Sequence, residues 1–185
     1  MDPRLPETDL VIFDCDGVLV DSEALSCRCL AEAMVRAGIE ISTEQVLELF
    51  LGRSTAALVD YCRGVGKPLP ATFLPELALD VRETFRARLK PIAGIAAVLA
   101  ELRLPYCVAS SSDLERVKFS LELTGLAPSF GQRLYTAQMV KQGKPAPDLF
   151  LHAASAMAAD PRRTLVIEDS VSGVTAAKAT GMKVW

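Results

Sequence analysis

The sequence predicts an α/β fold, in which a parallel sheet covered by helices on both faces is interrupted by a block of helices. Three observations predict it. Short apolar runs recur at 10–13, 105–109 and 164–167. Helical patterns lie between and after the later runs. One long stretch, 18–89, breaks the alternation with helices alone.

The run 10–13 is Leu-Val-Ile-Phe, apolar at every position, as a strand buried on both faces requires. The runs 105–109 and 164–167 share that character. Helical patterns cover 93–103, which is rich in Ala and Leu, and 113–123, which follows a serine cluster able to cap it. Pro145 and Pro147 lead into 148–157, and the pattern 171–180 stops at Gly181. Strands alternating with helices in this way pair in parallel.

Inside 18–89 the pattern is different. A helix over 23–37 closes at Gly38, and Ser42 with Gln45 forms a capping box that opens another over 42–50. Helices over 54–65 and 72–89 follow, separated by a Gly- and Pro-containing segment at 66–70. Both flanks of the block belong to one sheet, so it reads as an inserted cap and not as a separate bundle. The expected division is a core of 1–17 and 90–185 with a helical cap of 18–89. The last residues, 182–185, read as lying inside a strand. The C-terminal tail of the core is therefore expected to be missing, with an exposed sheet edge as the consequence.

Composition narrows the functional classes. The 185 residues are half hydrophobic and carry a net charge of −3, enough for a sizeable core in one domain plus an insertion. Lys and Arg are scattered among Asp and Glu with no basic stripe, which argues against nucleic acid. No run reaches the roughly 18 apolar residues of a membrane span, and no apolar leader precedes the first strand. The cysteines Cys15, Cys27, Cys29, Cys62 and Cys107 are odd in number and unclustered, so they read as reduced thiols in a cytoplasmic protein. No obligate protein partner is evident. The only histidine, His152, falls within a helical pattern and reads as a packing or surface residue.

Chemistry gathers where the strands end. The three apolar runs finish in Asp14-Cys-Asp16-Gly17, Ser110-Ser111-Ser112 and Glu168-Asp169-Ser170. Ligands of open parallel sheets bind at the carboxyl ends of the strands, so four carboxylates and several hydroxyls are expected in one crevice. Such a cluster repels itself unless a hard cation neutralises it, and Mg²⁺ characteristically takes carboxylates together with substrate phosphate. A carboxylate at Asp14 is a competent nucleophile toward phosphorus. Asp16, two residues on, can protonate the leaving oxygen and later deprotonate water. Lys144, on a loop between Gly143 and Pro145, can neutralise charge on a transferring phosphoryl group.

These residues carry a resemblance. The segment 14–21, Asp-Cys-Asp-Gly-Val-Leu-Val-Asp, resembles the DxDG signature of the haloacid dehalogenase superfamily of phosphohydrolases. Ser110, the segment 144–148 and the segment 168–173 resemble its three remaining motifs, in order. Within the superfamily the chain is similar to the β-phosphoglucomutase-like branch, which carries a helical cap after the first motif. The resemblance implies a Rossmann-like core, with Asp14 as nucleophile and Asp16 as acid/base. Mg²⁺ would be held by the Asp14 carboxylate, the Asp16 backbone carbonyl and Asp169, with Glu168 bound directly or acting behind them. Ser110 and the backbone at Ser111 would bind phosphate, Lys144 would link nucleophile and phosphoryl oxygens, and Arg53 would recognise substrate from the cap. The mutases of that branch have a histidine where this chain has Ser26, and Lys-Asn where it has Asp113-Leu114. The expected activity is therefore hydrolysis of a small phosphorylated metabolite, a sugar or sugar-acid phosphate. Phosphosugar mutase and idle binding protein are the alternatives.

Overall fold

The computed structural model describes residues 8–50 and 55–185. The strands are β1 Leu10–Phe13, β2 Tyr106–Ser110, β3 Leu134–Thr136, β4 Thr164–Ile167 and β5 Lys183–Val184. The helices are α1 Glu23–Arg36, α2 Thr43–Phe50, α3 Thr55–Gly64, α4 Phe73–Arg88, α5 Ile95–Glu101, α6 Leu114–Leu123, α7 Ala127–Phe130, α8 Asp148–Ala156 and α9 Val171–Ala179. All strands join one parallel sheet in the order β3-β2-β1-β4-β5. The α/β class is as the sequence predicts. The chain divides into two compact units, Met1–Val20 with Lys90–Trp185, and Asp21–Leu89.

In the first unit every residue of β1 is buried, because the strand is central and covered on both faces. Leu10, Ile12, Cys107, Ala109 and Val166 pack against Leu149, Phe150 and Ala153 of α8 and against Ala176 and Ala177 of α9. Alanines at those helix positions let the backbone approach the sheet closely. Phe13, Tyr106 and Phe130 meet edge to face in a ring triad, with centroids 5.4 to 6.4 Å apart. Leu10 and Ile12 are wholly buried, which stabilises the fold by about 1.5–3 kcal/mol each.

One strand of the sheet, β3, lies outside every expected strand: it has three residues, too few to develop a readable alternation, whereas β5 falls within the strand expected over 182–185. β3 forms because Val108, Ala109 and Ser110 of β2 present a free edge to Leu134, Tyr135 and Thr136.

In the second unit Cys27, Ala31 and Met34 recur at helical spacing on α1 and are buried with Val46, Leu58 and Phe73. The capping box is present: Ser42 N–H donates to Gln45 Oε1 at 2.8 Å, and Gln45 N–H donates to Ser42 Oγ at 3.2 Å. All five thiols are free and buried. Among the described residues no helix is long and apolar enough to cross a membrane.

Candidate active site

Asp14 is the first residue beyond β1, and its N–H donates to the Ile167 carbonyl at 3.0 Å. That bond ties the end of β1 to the end of β4, so Asp14 and Glu168 leave adjacent strands side by side. Carboxylate oxygens of Asp14, Glu168 and Asp169 lie within 4.8 Å of one another. Into this cluster comes Lys144, from the loop that precedes α8. Its Nζ donates to Asp14 Oδ1 at 2.6 Å and to Glu168 Oε2 at 2.7 Å, and it sits 4.9 Å from the centroid of the Phe150 ring. The Lys144 side chain is only 2% exposed.

Burial shapes the charges here. Loss of solvent pushes the Asp14 carboxyl up to about 7; the Lys144 charge opposes this, and the charges of Glu168 and Asp16 reinforce it. Burial works against the Lys144 cation, but Asp14 and Glu168 outweigh it and hold its pKa above the ordinary lysine value. Asp169, on the solvent side of the cluster, is raised by partial loss of solvent and further by the charges of Glu168 and Asp16. With all groups ionised, three carboxylates and one ammonium leave two negative charges. Oxygen donors in that charge balance fit a hard divalent cation.

Two glycines make the cluster possible. Gly17 has a φ of +80°, and a Cβ there would fall 2.0 Å from Asp169 Oδ2. At Gly173, in the first turn of α9, a Cβ would fall 2.0 Å from the Glu168 carboxyl carbon. Ser170 completes the hold on Glu168. Its Oγ donates to Glu168 Oε1 at 2.6 Å and accepts from the Gly173 N–H at 3.0 Å, so one hydroxyl caps α9 and orients the carboxylate.

The Asp16 side chain lies outside this group of three carboxylates, at a turn of the chain where Leu19 and Val20 both donate backbone N–H groups to the Cys15 carbonyl, at 2.9 and 3.1 Å. The Asp16 carboxylate instead faces the loop between β2 and α6. Ser112 Oγ donates to Oδ2 at 2.7 Å and Arg116 Nη2 to Oδ1 at 3.3 Å.

Ser110 is buried at the end of β2, where its Oγ accepts from the Ser112 N–H at 3.0 Å; Ser111 is exposed on the same turn. The first unit thus brings Asp14, Asp16, Ser110, Lys144, Glu168 and Asp169 to the carboxyl ends of β1, β2 and β4. Arg53 lies outside the described residues. His152 packs edge to face against Tyr135 at 5.6 Å, away from this cluster.

Sequence reasoning missed the hold of Ser170 and Gly173 on Glu168, the contact of Phe150 with Lys144, and Arg116. The first carried a signal, since Ser170 is a natural cap at the start of a helix. Arg116 carried none: it is one charged residue on an ordinary amphipathic helix.

The family model for haloacid dehalogenase-like hydrolases matches residues 11–185. A 6-phosphogluconate phosphatase of Escherichia coli (strain K12) is 29% identical over 96% of this chain and 81% of its own. Hexitol phosphatase B of the same strain is 32% identical over 93% of this chain and 80% of its own. Among solved structures, a haloacid dehalogenase-like protein from Agrobacterium tumefaciens aligns with a TM-score of 0.86 and 36% identity, covering 96% of this chain and 81% of that one. A family hydrolase from Deinococcus radiodurans, solved with bound phosphate and sodium, aligns with a TM-score of 0.80 and 31% identity, covering 96% and 80%.

Proposed function

The chain belongs to the haloacid dehalogenase-like hydrolase family, and from that premise we propose a Mg²⁺-dependent phosphatase acting through an aspartyl-phosphate on Asp14. One observation carries the reading: the Lys144 ammonium bonded to both Asp14 and Glu168, beside Asp169, at the carboxyl end of the central strand.

Asp14, Glu168 and Asp169 through their carboxylates, and Asp16 through its backbone carbonyl, would hold Mg²⁺. When bound it supplies the positive charge that lets an anionic phosphate approach carboxylates. An Asp14 oxygen attacks phosphorus as the bond to the leaving oxygen breaks, and Asp16 gives that oxygen its proton, releasing an alcohol. Water then attacks the same phosphorus, gives a proton to Asp16, and breaks the bond to Asp14, releasing inorganic phosphate and restoring the carboxylate. Lys144 lies where it can neutralise charge on the transferring group while keeping Asp14 oriented. Ser110 and the backbone at Ser111 would receive the phosphoryl oxygens.

The substrate proposed is a small phosphorylated sugar, sugar alcohol or sugar acid, in line with the relatives that act on 6-phosphogluconate and on hexitol phosphates. Five reduced, buried thiols suit a cytoplasmic setting. The test is a panel of phosphorylated metabolites with Mg²⁺ or with chelator. Turnover should need Mg²⁺, and Asp14→Asn should lower kcat by roughly a thousandfold or more, about 4 kcal/mol of barrier. Substantial turnover in chelator, or in that variant, would overturn the mechanism.

A further inference from the structure

Asp16 stands apart from the carboxylate cluster, and the reason lies on α6. The helix begins at an Asp113 cap, whose Oδ1 accepts from the Arg116 N–H at 2.8 Å. The cap fixes the backbone of Arg116 one turn into the helix. From there the guanidinium reaches Asp16 Oδ1, 100 residues earlier in the chain, while Ser112 Oγ takes Oδ2. Ser112 is itself fixed through its N–H to Ser110 Oγ. Two donors on two different oxygens set both the position of a carboxylate and its rotation about the Cβ–Cγ bond. A single donor would leave that rotation free.

We infer that Arg116 is a positioning residue for Asp16. With Ser112 it keeps the Asp16 side chain out of the cluster of Asp14, Glu168 and Asp169, and turned toward the place of the leaving group. The inference rests on the reading of Asp16 as the acid/base. Nucleophile and acid/base must occupy different places around one phosphorus, and two carboxylates that close in sequence would otherwise compete for the same cation. The pairing of Asp16 with a guanidinium supplies the separation. Arg116 is a third exposed and Asp16 a quarter, so the pair borders solvent where a leaving group can depart. Misplacement of a reacting group by about 1 Å costs on the order of a hundredfold in rate, so loss of one of the two holds should cost about 10- to 100-fold.

The test uses Arg116→Ala, Arg116→Lys, Ser112→Ala, Asp16→Asn and the Asp16→Asn/Arg116→Ala double variant, each shown to be folded by circular dichroism. Single-turnover phosphorylation of the enzyme and steady-state kinetics are measured with p-nitrophenyl phosphate and with an alkyl phosphate that the wild type turns over, 6-phosphogluconate first. Arg116→Ala should lower the alkyl phosphate kcat about 10- to 100-fold with KM changed less than about threefold, and lower aryl phosphorylation much less. Arg116→Lys should recover part of the loss, and Ser112→Ala should show the same substrate pattern. The double variant should be no slower than Asp16→Asn alone, because both changes remove one function. A rise in KM at constant kcat would make Arg116 a substrate contact and overturn the inference. Equal losses on both esters, additivity in the double variant, or wild-type kinetics would overturn it as well. If Asp16→Asn itself kept alkyl phosphate turnover, the acid/base reading would fail first; if that variant is crippled and Arg116→Ala is not, the inference alone fails.

Discussion

Burial, reinforced by the charges of Glu168 and Asp16 and opposed by the Lys144 ammonium, favours the neutral form of Asp14 in the folded chain. Its carboxyl rises from the ordinary 3.8 to about 7, so between those values the folded chain binds a proton that the unfolded chain releases. The stability this group contributes without metal is full below about pH 4 and is lost as pH rises through about 7. The proposed Mg²⁺ would have to displace that proton. Its affinity should therefore climb about tenfold per pH unit from about 4 to 7 and level above. Calorimetric titration with Mg²⁺ at several pH values checks this, and a flat profile over that range would contradict it. Gly173 gives a second prediction at this scale. Its replacement by Ala puts a Cβ 2.0 Å from a Glu168 carboxylate that Lys144 and Ser170 already hold, so that carboxylate must move. Gly173→Ala should lose about 1–3 kcal/mol of stability and much of its kcat, read by urea unfolding and phosphate release. Asp14 and Asp169 stood out because carboxylates fall where apolar runs end, and Lys144 because it sits in a loop bounded by Gly143 and two prolines. Arg116 was not, because its partner is set by the sheet order and not by any neighbour in sequence.

Helix starts do much of the work of placing these side chains. α6 opens on Asp113 and α9 on Ser170, and each cap accepts a backbone N–H from the first turn. Because β2 and β4 both run into such caps, Ser112, Arg116, Glu168 and Asp169 are delivered to one end of the sheet. Ser170→Ala should cost about 1 kcal/mol for the lost cap and lower Tm by about 2–4 °C. Glu168 loses an orienting donor at the same time, so kcat should fall as well; an unchanged kcat would show that Lys144 alone orients Glu168. Caps are also the elements that sequence reads well. The Ser42–Gln45 box was visible as a spacing and is present as two reciprocal bonds. The strand β3 was not read as a member of the sheet, since its place comes from pairing to β2 and not from a pattern of its own.

At the scale of the molecule, the order β3-β2-β1-β4-β5 puts β1 between the two strands whose ends carry the remaining groups. A central strand ending in Asp14 therefore meets Ser110 on one side and Glu168 on the other, which no local reading of residues could guarantee. The resemblance to the β-phosphoglucomutase-like branch sets Ser26 where its mutases have a histidine, so this assembly is expected to act as a phosphatase and not as a mutase. Incubation with glucose 1-phosphate anomers should release at most inorganic phosphate; efficient isomerisation to the 6-phosphate would reverse the assignment. The central claim is that phosphorus passes through Asp14, and trapping the phosphoenzyme tests it most directly. In Asp16→Ala an aryl phosphate can still phosphorylate the chain, since its leaving group needs little protonation, but the second step lacks its base. Acid quenching of that variant during turnover of p-nitrophenyl phosphate, followed by peptide mass spectrometry, should find close to one phosphoryl group per chain, on Asp14. Turnover with no protein-bound phosphoryl group, or with the group on any other residue, would contradict the account.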